Sequence, residues 1–409
     1  MYKLNPDTGK QKYYSTDAFK SILSAIISIL IGMVVGTLIV IIVGLTKEGI
    51  TTNGIFEGVK LVFLGLFSTG REAGALTFGF NPVNMGNMLF RGTPLIMTGL
   101  SVAVAFRTGL FNIGAPGQYL MGTTATLYIA LTMPTETIPA WIVWILGGMV
   151  AGAIWGCIPG LLKAFLNINE VITCIMTNWI AANLVTWFFE VRDELKNAEE
   201  GGKVGYIKPT SSNGVETFDF GLDKLFPGSQ VTGGIVIAIL IAIVIYIIMT
   251  KTTFGYQLKA CGSNRHAARY AGIKDKRNIV LSMAIAGSLA GAAGSLYYLS
   301  GNTEFFWSTY QQLPAVGFNG IPVALLASNH PIGVIFTGCF MSMLNIAGMQ
   351  LKTLTAYNEY VTDIIIASIV YLSAFAMLIK MLLNKRGKKK EEAVSESSAA
   401  AEDKEGGNE

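Results

Sequence analysis

Two short stretches of the chain combine amide side chains, aromatic rings and glycines in a way that suits contact with a small polar solute. The first is Gly109-Leu110-Phe111-Asn112-Ile113-Gly114-Ala115-Pro116-Gly117-Gln118, followed by Tyr119; the second is Val316-Gly317-Phe318-Asn319-Gly320-Ile321-Pro322. Each holds a Phe-Asn pair beside glycines, and an Asn178-Trp179 pair lies between the two in sequence. Amides donate and accept hydrogen bonds, and aromatic faces stack on a nucleobase or sugar. Phe111, Asn112, Gln118, Tyr119, Asn178, Trp179, Phe318 and Asn319 are therefore the candidate lining of a solute pathway. The same residue types also serve close helix approach, cross-helix hydrogen bonds of roughly 1 kcal/mol and aromatic packing, so pattern alone leaves both readings open.

Other chemistries lack their residues. There is no G-x-x-x-x-G-K-[ST] phosphate loop, no H-E-x-x-H and no G-x-S-x-G, and the only histidines are His266 and His330. Cys157, Cys174, Cys261 and Cys339 are scattered without a C-x-x-C pair, which points to neither a disulfide framework nor a zinc site. The expectation is a non-enzyme without a metal or cofactor of its own.

The elements that must hold these residues are membrane spans. Apolar residues make up 52% of the 409 residues and charged residues only 14%, well below the quarter usual in soluble domains. Uncharged windows long enough to cross a bilayer recur along the chain. We expect an all-α polytopic transmembrane helical bundle with about ten spans, at 21–45, 93–106, 110–132, 139–162, 167–189, 231–249, 278–300, 313–328, 331–349 and 360–383. The windows 93–106 and 313–328 are too short for straight crossings at 1.5 Å per residue, and are expected to be interrupted or re-entrant. Ile55–Phe67, broken by Glu57 and Lys60, reads as an outer interfacial helix.

Charge sets the orientation. Between 250 and 277, seven basic residues face the single acid Asp275, whereas 190–228 carries eight acids and five bases. The positive-inside rule makes 250–277 cytoplasmic and 190–228 an outer loop. The expected organisation is a cytoplasmic segment 1–20, a permease domain 21–383 and a disordered cytoplasmic tail 384–409, with both termini inside. The proposed spans keep lysine and arginine away from their centres, which argues against a carrier driven by sodium or protons. A lipid-acting enzyme lacks a nucleophile or acid-base pair.

Two patterns are structural. Gly148, Gly152, Gly156 and Gly160, with Gly287 and Gly291, follow small-xxx-small spacing and predict close helix packing. The segment from Thr253-Phe254-Gly255 to Gly272 fits a short cytoplasmic helix capped by Asn264 or Ser263 and ended by Gly272, with Ala267, Ala268 and Ala271 forming a small-residue patch.

The motifs together resemble a known family. Pro94-Leu95-Ile96-Met97-Thr98-Gly99-Leu100, then Gly109-Leu110-Phe111-Asn112-Ile113-Gly114 with Gly117-Gln118, Glu170-Val171-Ile172-Thr173 with Asn178, Thr253-Phe254-Gly255 to Gly272-Ile273, and Gly317-Phe318-Asn319-Gly320-Ile321 with Val323-Ala324-Leu325-Leu326 resemble the branched-chain amino acid/ribose/nucleoside family of ABC-importer permeases. The similarity spans about residues 20 to 383, and within the family the chain looks most like the longer permease of bacterial nucleoside importers. Pro116 departs from a pattern that often has Glu there.

The resemblance implies a multi-pass cell-membrane protein working with a cytoplasmic ABC ATPase that hydrolyses the ATP, a second permease subunit and an extracytoplasmic solute-binding lipoprotein. The substrate it implies is a nucleoside, with ribose or another small polar solute as the alternative. Thr253, Phe254, Gly255, Gly262, Asn264, Ala267, Ala268 and Gly272 would belong to a coupling element seated on the ATPase.

Overall fold

Long apolar runs with helix-compatible residues fold as helices, and almost every regular element of the chain is one. A computed structural model describes residues 17–133, 140–197, 205–208, 219–308, 312–358 and 360–373. The expected tail 384–409 and most of the segment 1–20 lie outside the described residues. In chain order the elements are α1 (Asp17–Thr46), α2 (Thr52–Leu64), a hairpin of β1 (Ser68–Glu72) and β2 (Ala75–Phe78), α3 (Pro82–Arg107), α4 (Ala115–Thr132), α5 (Ala140–Leu166), α6 (Glu170–Glu190), α7 (Leu222–Leu225), α8 (Gly234–Lys251), α9 (Thr253–Ser263), α10 (Arg265–Tyr270), α11 (Asp275–Tyr298), α12 (Ala315–Leu326), α13 (Pro331–Leu354) and α14 (Tyr360–Ser373). Each of the ten expected spans overlaps one of these helices, with 374–383 of the last lying outside the described residues. Among the described residues, seven helices (α1, α3, α5, α6, α8, α11 and α13) are long and apolar enough to cross a membrane.

The chain divides into two compact units. One comprises Met1–Ile39 with Asp363–Glu409, the other Val40–Thr362. In the first, α1 meets α14 where Gly36 lies against Ile365. The second holds everything that follows.

α11 and α3 are the most deeply buried of the spanning helices. The glycine spacing read from the sequence brings α5 onto α11: a Cβ at Gly152 would stand 3.0 Å from the Gly291 Cα, and one at Gly156 would stand 3.1 Å from the Gly287 Cα. Backbones this close leave no room for a side chain, and in lipid such van der Waals contact is what holds helices together. Thr126 and Ser295 hydroxyls meet at 2.7 Å in the same layer.

Of the two short windows, one departs from expectation. The window 93–106 is the apolar end of a continuous helix, α3, whose 26 residues span about 39 Å. Its first turns escape a hydropathy reading because they are polar: Asn81 caps the helix by accepting from Asn84 N–H at 3.1 Å, and the Asn84 amide in turn donates to the Ser68 carbonyl at 3.1 Å. The earlier start also puts Arg91 inside a span, nine residues from the Pro82 end or about 13 Å along the axis, so the spans are not free of cations. Its Nε is buried without a hydrogen-bond partner.

The window 313–328 holds a shorter apolar helix, α12, in keeping with an interrupted segment. Residues 299–308 form no helix and are tied to the 190–228 region, where Ile207 N–H donates to the Phe305 carbonyl at 3.0 Å and Trp307 N–H to the Gly205 carbonyl at 2.9 Å. α12 begins deeper, with Gly317 against Pro116 at the start of α4 and Gly320 against Thr98 of α3. It ends beside the last residue of α3, where Arg107 Nε donates to the Asn329 carbonyl at 2.8 Å. Irregular backbone is tolerated at this depth only when surrounded by protein or lining a wet cavity.

Candidate functional site

The two Phe-Asn segments meet. Gly317, in the first turn of α12, abuts Pro116 in the first turn of α4, and a Cβ at Gly317 would come within 2.5 Å of the Pro116 Cα. The departure from the family pattern at Pro116 therefore falls at a contact between two helix starts.

Three of the expected pathway amides are committed to backbone and to each other. Asn112 is buried; its Nδ2 donates to Ser101 Oγ at 3.1 Å and to Gln118 Oε1 at 2.8 Å, while its Oδ1 accepts from Gly114 N–H at 3.2 Å and from Gln118 Nε2 at 3.1 Å. Asn178, only 1% exposed, reaches across from α6: its Oδ1 accepts from Gly117 N–H at 2.9 Å and its Nδ2 donates to the Ile113 carbonyl at 2.9 Å. α4 lacks a side-chain cap at Gly114, so Asn178 satisfies one of its free N–H groups from a neighbouring helix. These amides hold the non-helical turn 108–114 in place. Ser101, part of the same cluster, was not singled out from sequence; a lone serine in an apolar helix carries no pattern.

Phe111 and Tyr119 also face protein. The Phe111 ring lies 5.2 Å from that of Phe106, and the buried Tyr119 ring 6.4 Å edge-on from that of Tyr298. Trp179, by contrast, is 45% exposed although it follows Asn178 directly. With Phe318 it lines an open groove of ≈ 460 Å³ completed by Ile175, Asn178, Gln312 and Leu313. Trp179 also borders a second hollow of ≈ 440 Å³ along α6, with Ile180, Asn183, Leu184 and Trp187. Asn319, next to Phe318, is half-buried. The groove lining holds two aromatic rings, the exposed amide of Gln312 beside the committed one of Asn178, and no charged group, a surface that complements an uncharged solute with a flat ring and hydroxyls. Gln312 and Leu313 were missed because the sequence reading took them as the edge of a span; the adjacent amides Gln311 and Gln312 were the available signal.

At the far end of α3, the short helix expected between an Asn264 or Ser263 cap and Gly272 is α10, and a second helix, α9, precedes it. Thr252 caps α9 by accepting from Gly255 N–H at 3.1 Å, and Asn264, in an extended conformation, caps α10 by accepting from Ala267 N–H at 3.0 Å. Gly272 follows the last turn with φ +79°, a conformation that suits glycine. The break at Asn264 decides which side chains face out. Thr253, Asn264, Ala267, Ala271 and Gly272 are exposed, Phe254 is half-buried, and Tyr270 is 95% exposed. Ala268 is 4% exposed and turns inward, leaving the small-residue patch without its middle member. Gly255 packs on the end of α8 at Met249, and Gly262 packs on the Arg107 carbonyl and Gly109; both fix the two helices to the bundle. Asp275 joins Arg265 in an ion pair at 2.7 Å.

Among the described residues no group of three or more His, Cys, Asp or Glu side chains is arranged to hold a metal ion. Among the described residues, seven helices long and apolar enough to cross a membrane give the architecture of a multi-pass membrane protein, and sequence comparison makes the class specific. Residues 84–379, more than half of the chain, match the family described as "Branched-chain amino acid transport system / permease component", and the chain belongs to that family of multi-pass membrane permeases. It is 33% identical over 371 residues to the Guanosine ABC transporter permease protein NupP of Bacillus subtilis (strain 168), covering 90% of this chain and 97% of the relative. It is 36% identical over 328 residues to the Nucleoside ABC transporter permease protein NupB of Lactococcus lactis subsp. cremoris (strain MG1363), covering 76% and 88%. The Glucose ABC transporter permease protein TsgB13 of Haloferax volcanii is 29% identical over 290 residues, covering 69% of this chain and 74% of the relative. No solved structure matches the chain.

Proposed function

We propose that the chain is the nucleoside-conducting permease subunit of an ATP-driven importer, and that the groove between α6 and the start of α12 is its half of the solute pathway. The observation that carries this reading is the groove itself: Trp179 and Phe318 offer ring faces, Gln312 offers an amide, and no charge is present. The two relatives named for guanosine and nucleoside transport agree with that chemistry. The groove is open on the surface of this chain, so a second permease subunit would close it. α6 presents Ile172, Met176, Ile180 and Trp187 as an exposed apolar strip for that purpose.

The remaining assembly follows from charge and exposure. The basic region holding α9 and α10 would face the cytoplasm, and an even number of spans would leave both termini on that side. Tyr270, Ala267 and Ala271 would then seat on the ATPase that hydrolyses ATP, and the opposite face, bearing 190–228, would receive solute from a binding lipoprotein. Switching between two bundle states driven by the ATPase would open the pathway alternately, since differential affinity for two states is what shifts an equilibrium.

Uptake of labelled guanosine in cells with and without this gene tests the reading. Uptake that depends on the gene, is competed by other nucleosides and is indifferent to glucose or ribose supports it. Competition by glucose or ribose, with nucleosides inert, would favour a sugar permease, for which the Haloferax relative speaks.

A further inference from the structure

Three groups capable of positive charge gather where α3 ends, and no described residue pairs with them as a counter-charge. Arg107 closes α3 and spends its Nε on the Asn329 carbonyl at 2.8 Å, leaving its two terminal nitrogens as donors. α9 lies directly against this end, because Gly262 packs on the Arg107 carbonyl and on Gly109. Lys259 stands three residues before Gly262, on the same face of α9. His330 follows Asn329, and its Nδ1 accepts from Gly333 N–H at 3.4 Å to cap α13. The neutral ring must then carry its proton on Nε2, which is left as a donor.

None of the three forms an ion pair among the described residues, where the pairs involve Arg71, Lys163, Arg192, Lys196 and Arg265. All three are half-buried. Burial, followed by the Arg107 charge, holds the Lys259 ammonium below its ordinary value, and burial followed by Arg107 and Lys259 does the same to the His330 imidazole. Like charges brought together in a folded protein without a carboxylate await an anion.

The surroundings say which kind. The His330 ring lies 5.5 Å from that of Tyr246 on α8. α8 exposes Ile243 and Ile247 on either side of Tyr246 in sequence, and Phe336, two turns into α13 from His330, is 72% exposed. Cationic groups at helix ends, next to an interfacial tyrosine and below outward-facing apolar side chains, lie where phospholipid phosphates sit. A guanidinium also matches phosphate geometry.

We propose that Arg107, Lys259 and His330 form a site for the phosphate of an anionic phospholipid headgroup, in the leaflet at the α9–α10 end of the bundle. The acyl chains would lie along α8 and α13. The site stands apart from the groove and does not depend on which solute is carried.

The test is native mass spectrometry of the complex as purified, titrated with phosphatidylglycerol or phosphatidylcholine. Lys259→Gln is the variant of choice, because Lys259 makes no hydrogen bond to backbone that its loss would break. We expect wild-type protein to hold phosphatidylglycerol in preference to phosphatidylcholine, Lys259→Gln to weaken it about five-fold, and Lys259→Arg to retain it. His330→Asn, which keeps a capping side chain, provides a second variant with the same expected direction. Equal retention of the two lipids, or undiminished phosphatidylglycerol binding in both variants, overturns the proposal. Displacement of the lipid by excess inorganic phosphate would assign the site to a free anion instead. Loss of the co-purifying ATPase in Lys259→Gln with lipid occupancy unchanged would assign it to an acidic protein partner; either result counts against the lipid.

Discussion

Asn178 and Trp179 are neighbours in sequence with opposite duties, and replacing each in turn separates scaffold from pathway. Asn178→Leu removes the partners of Gly117 N–H and the Ile113 carbonyl, both now paired at 2.9 Å. Leaving a buried backbone group unpaired costs about 1–3 kcal/mol, while hydrogen bonds measured within a membrane bundle average roughly 0.6 kcal/mol. Two such losses give about 1–6 kcal/mol, enough to lower the melting temperature of the purified complex visibly. Asn178→Asp keeps the acceptor for Gly117 but loses the donor to Ile113, so it should be destabilised as well. Trp179→Ala breaks no hydrogen bond and should leave melting almost unchanged. It removes one ring face from the groove, and stacking on a base is worth about 1–3 kcal/mol, which translates to a rise in nucleoside KM of roughly 5- to 150-fold. The paired assay is thermal unfolding beside uptake kinetics. Unchanged melting in Asn178→Leu, together with an unchanged KM in Trp179→Ala, would refute the division of labour.

Three further outcomes follow. Gly152→Val should disrupt the α5–α11 contact, where a Cβ has no space beside Gly291, at about 3 kcal/mol or more; the yield of monodisperse protein reads this, and normal yield would contradict it. Tyr270→Glu should reduce both uptake and ATPase co-purification while leaving melting unaltered, because the side chain is exposed, whereas Ala268→Glu should lower melting first. His330 should make the folded protein acid-sensitive: its imidazole is held below the ordinary value by burial and by Arg107 and Lys259, so the unfolded chain takes up the proton first as pH falls. Its contribution is complete above about pH 6.5 and declines below it, and thermal unfolding of His330→Asn across that range should show a smaller acid loss than wild type.

Much of the fold could be read from sequence for a simple physical reason. A span must be apolar over a bilayer thickness, so α5, α8 and α13 announce themselves, and the four-residue glycine spacing of α5 names its own partner face. α3 reads short because Asn84, Asn87 and Arg91 look like loop residues, and the distant partners of the two asparagines show only in the fold; the Asn87 amide oxygen, for example, accepts from Gln230 N–H at 2.8 Å, far away in the chain. The amides of the two Phe-Asn segments were recognisable as special, but not their task. Whether an amide meets solute or backbone depends on which neighbour is short of a partner, and the uncapped start of α4 that engages Asn178 exists only in the folded bundle. The inward turn of Ala268 is hidden for a related reason: alanines at 267, 268 and 271 look alike in sequence, and only the docking of α10 on its neighbours decides that Ala268 is the one buried.

The most direct test of the transport pathway is accessibility at Phe318. In protein with Cys157, Cys174, Cys261 and Cys339 replaced, Phe318→Cys places one thiol in the groove. A bulky polar thiol reagent should block uptake in this variant alone, and saturating nucleoside should slow the modification. A thiol that reacts freely without loss of uptake, or reacts at the same rate with and without nucleoside, would mean that solute crosses elsewhere.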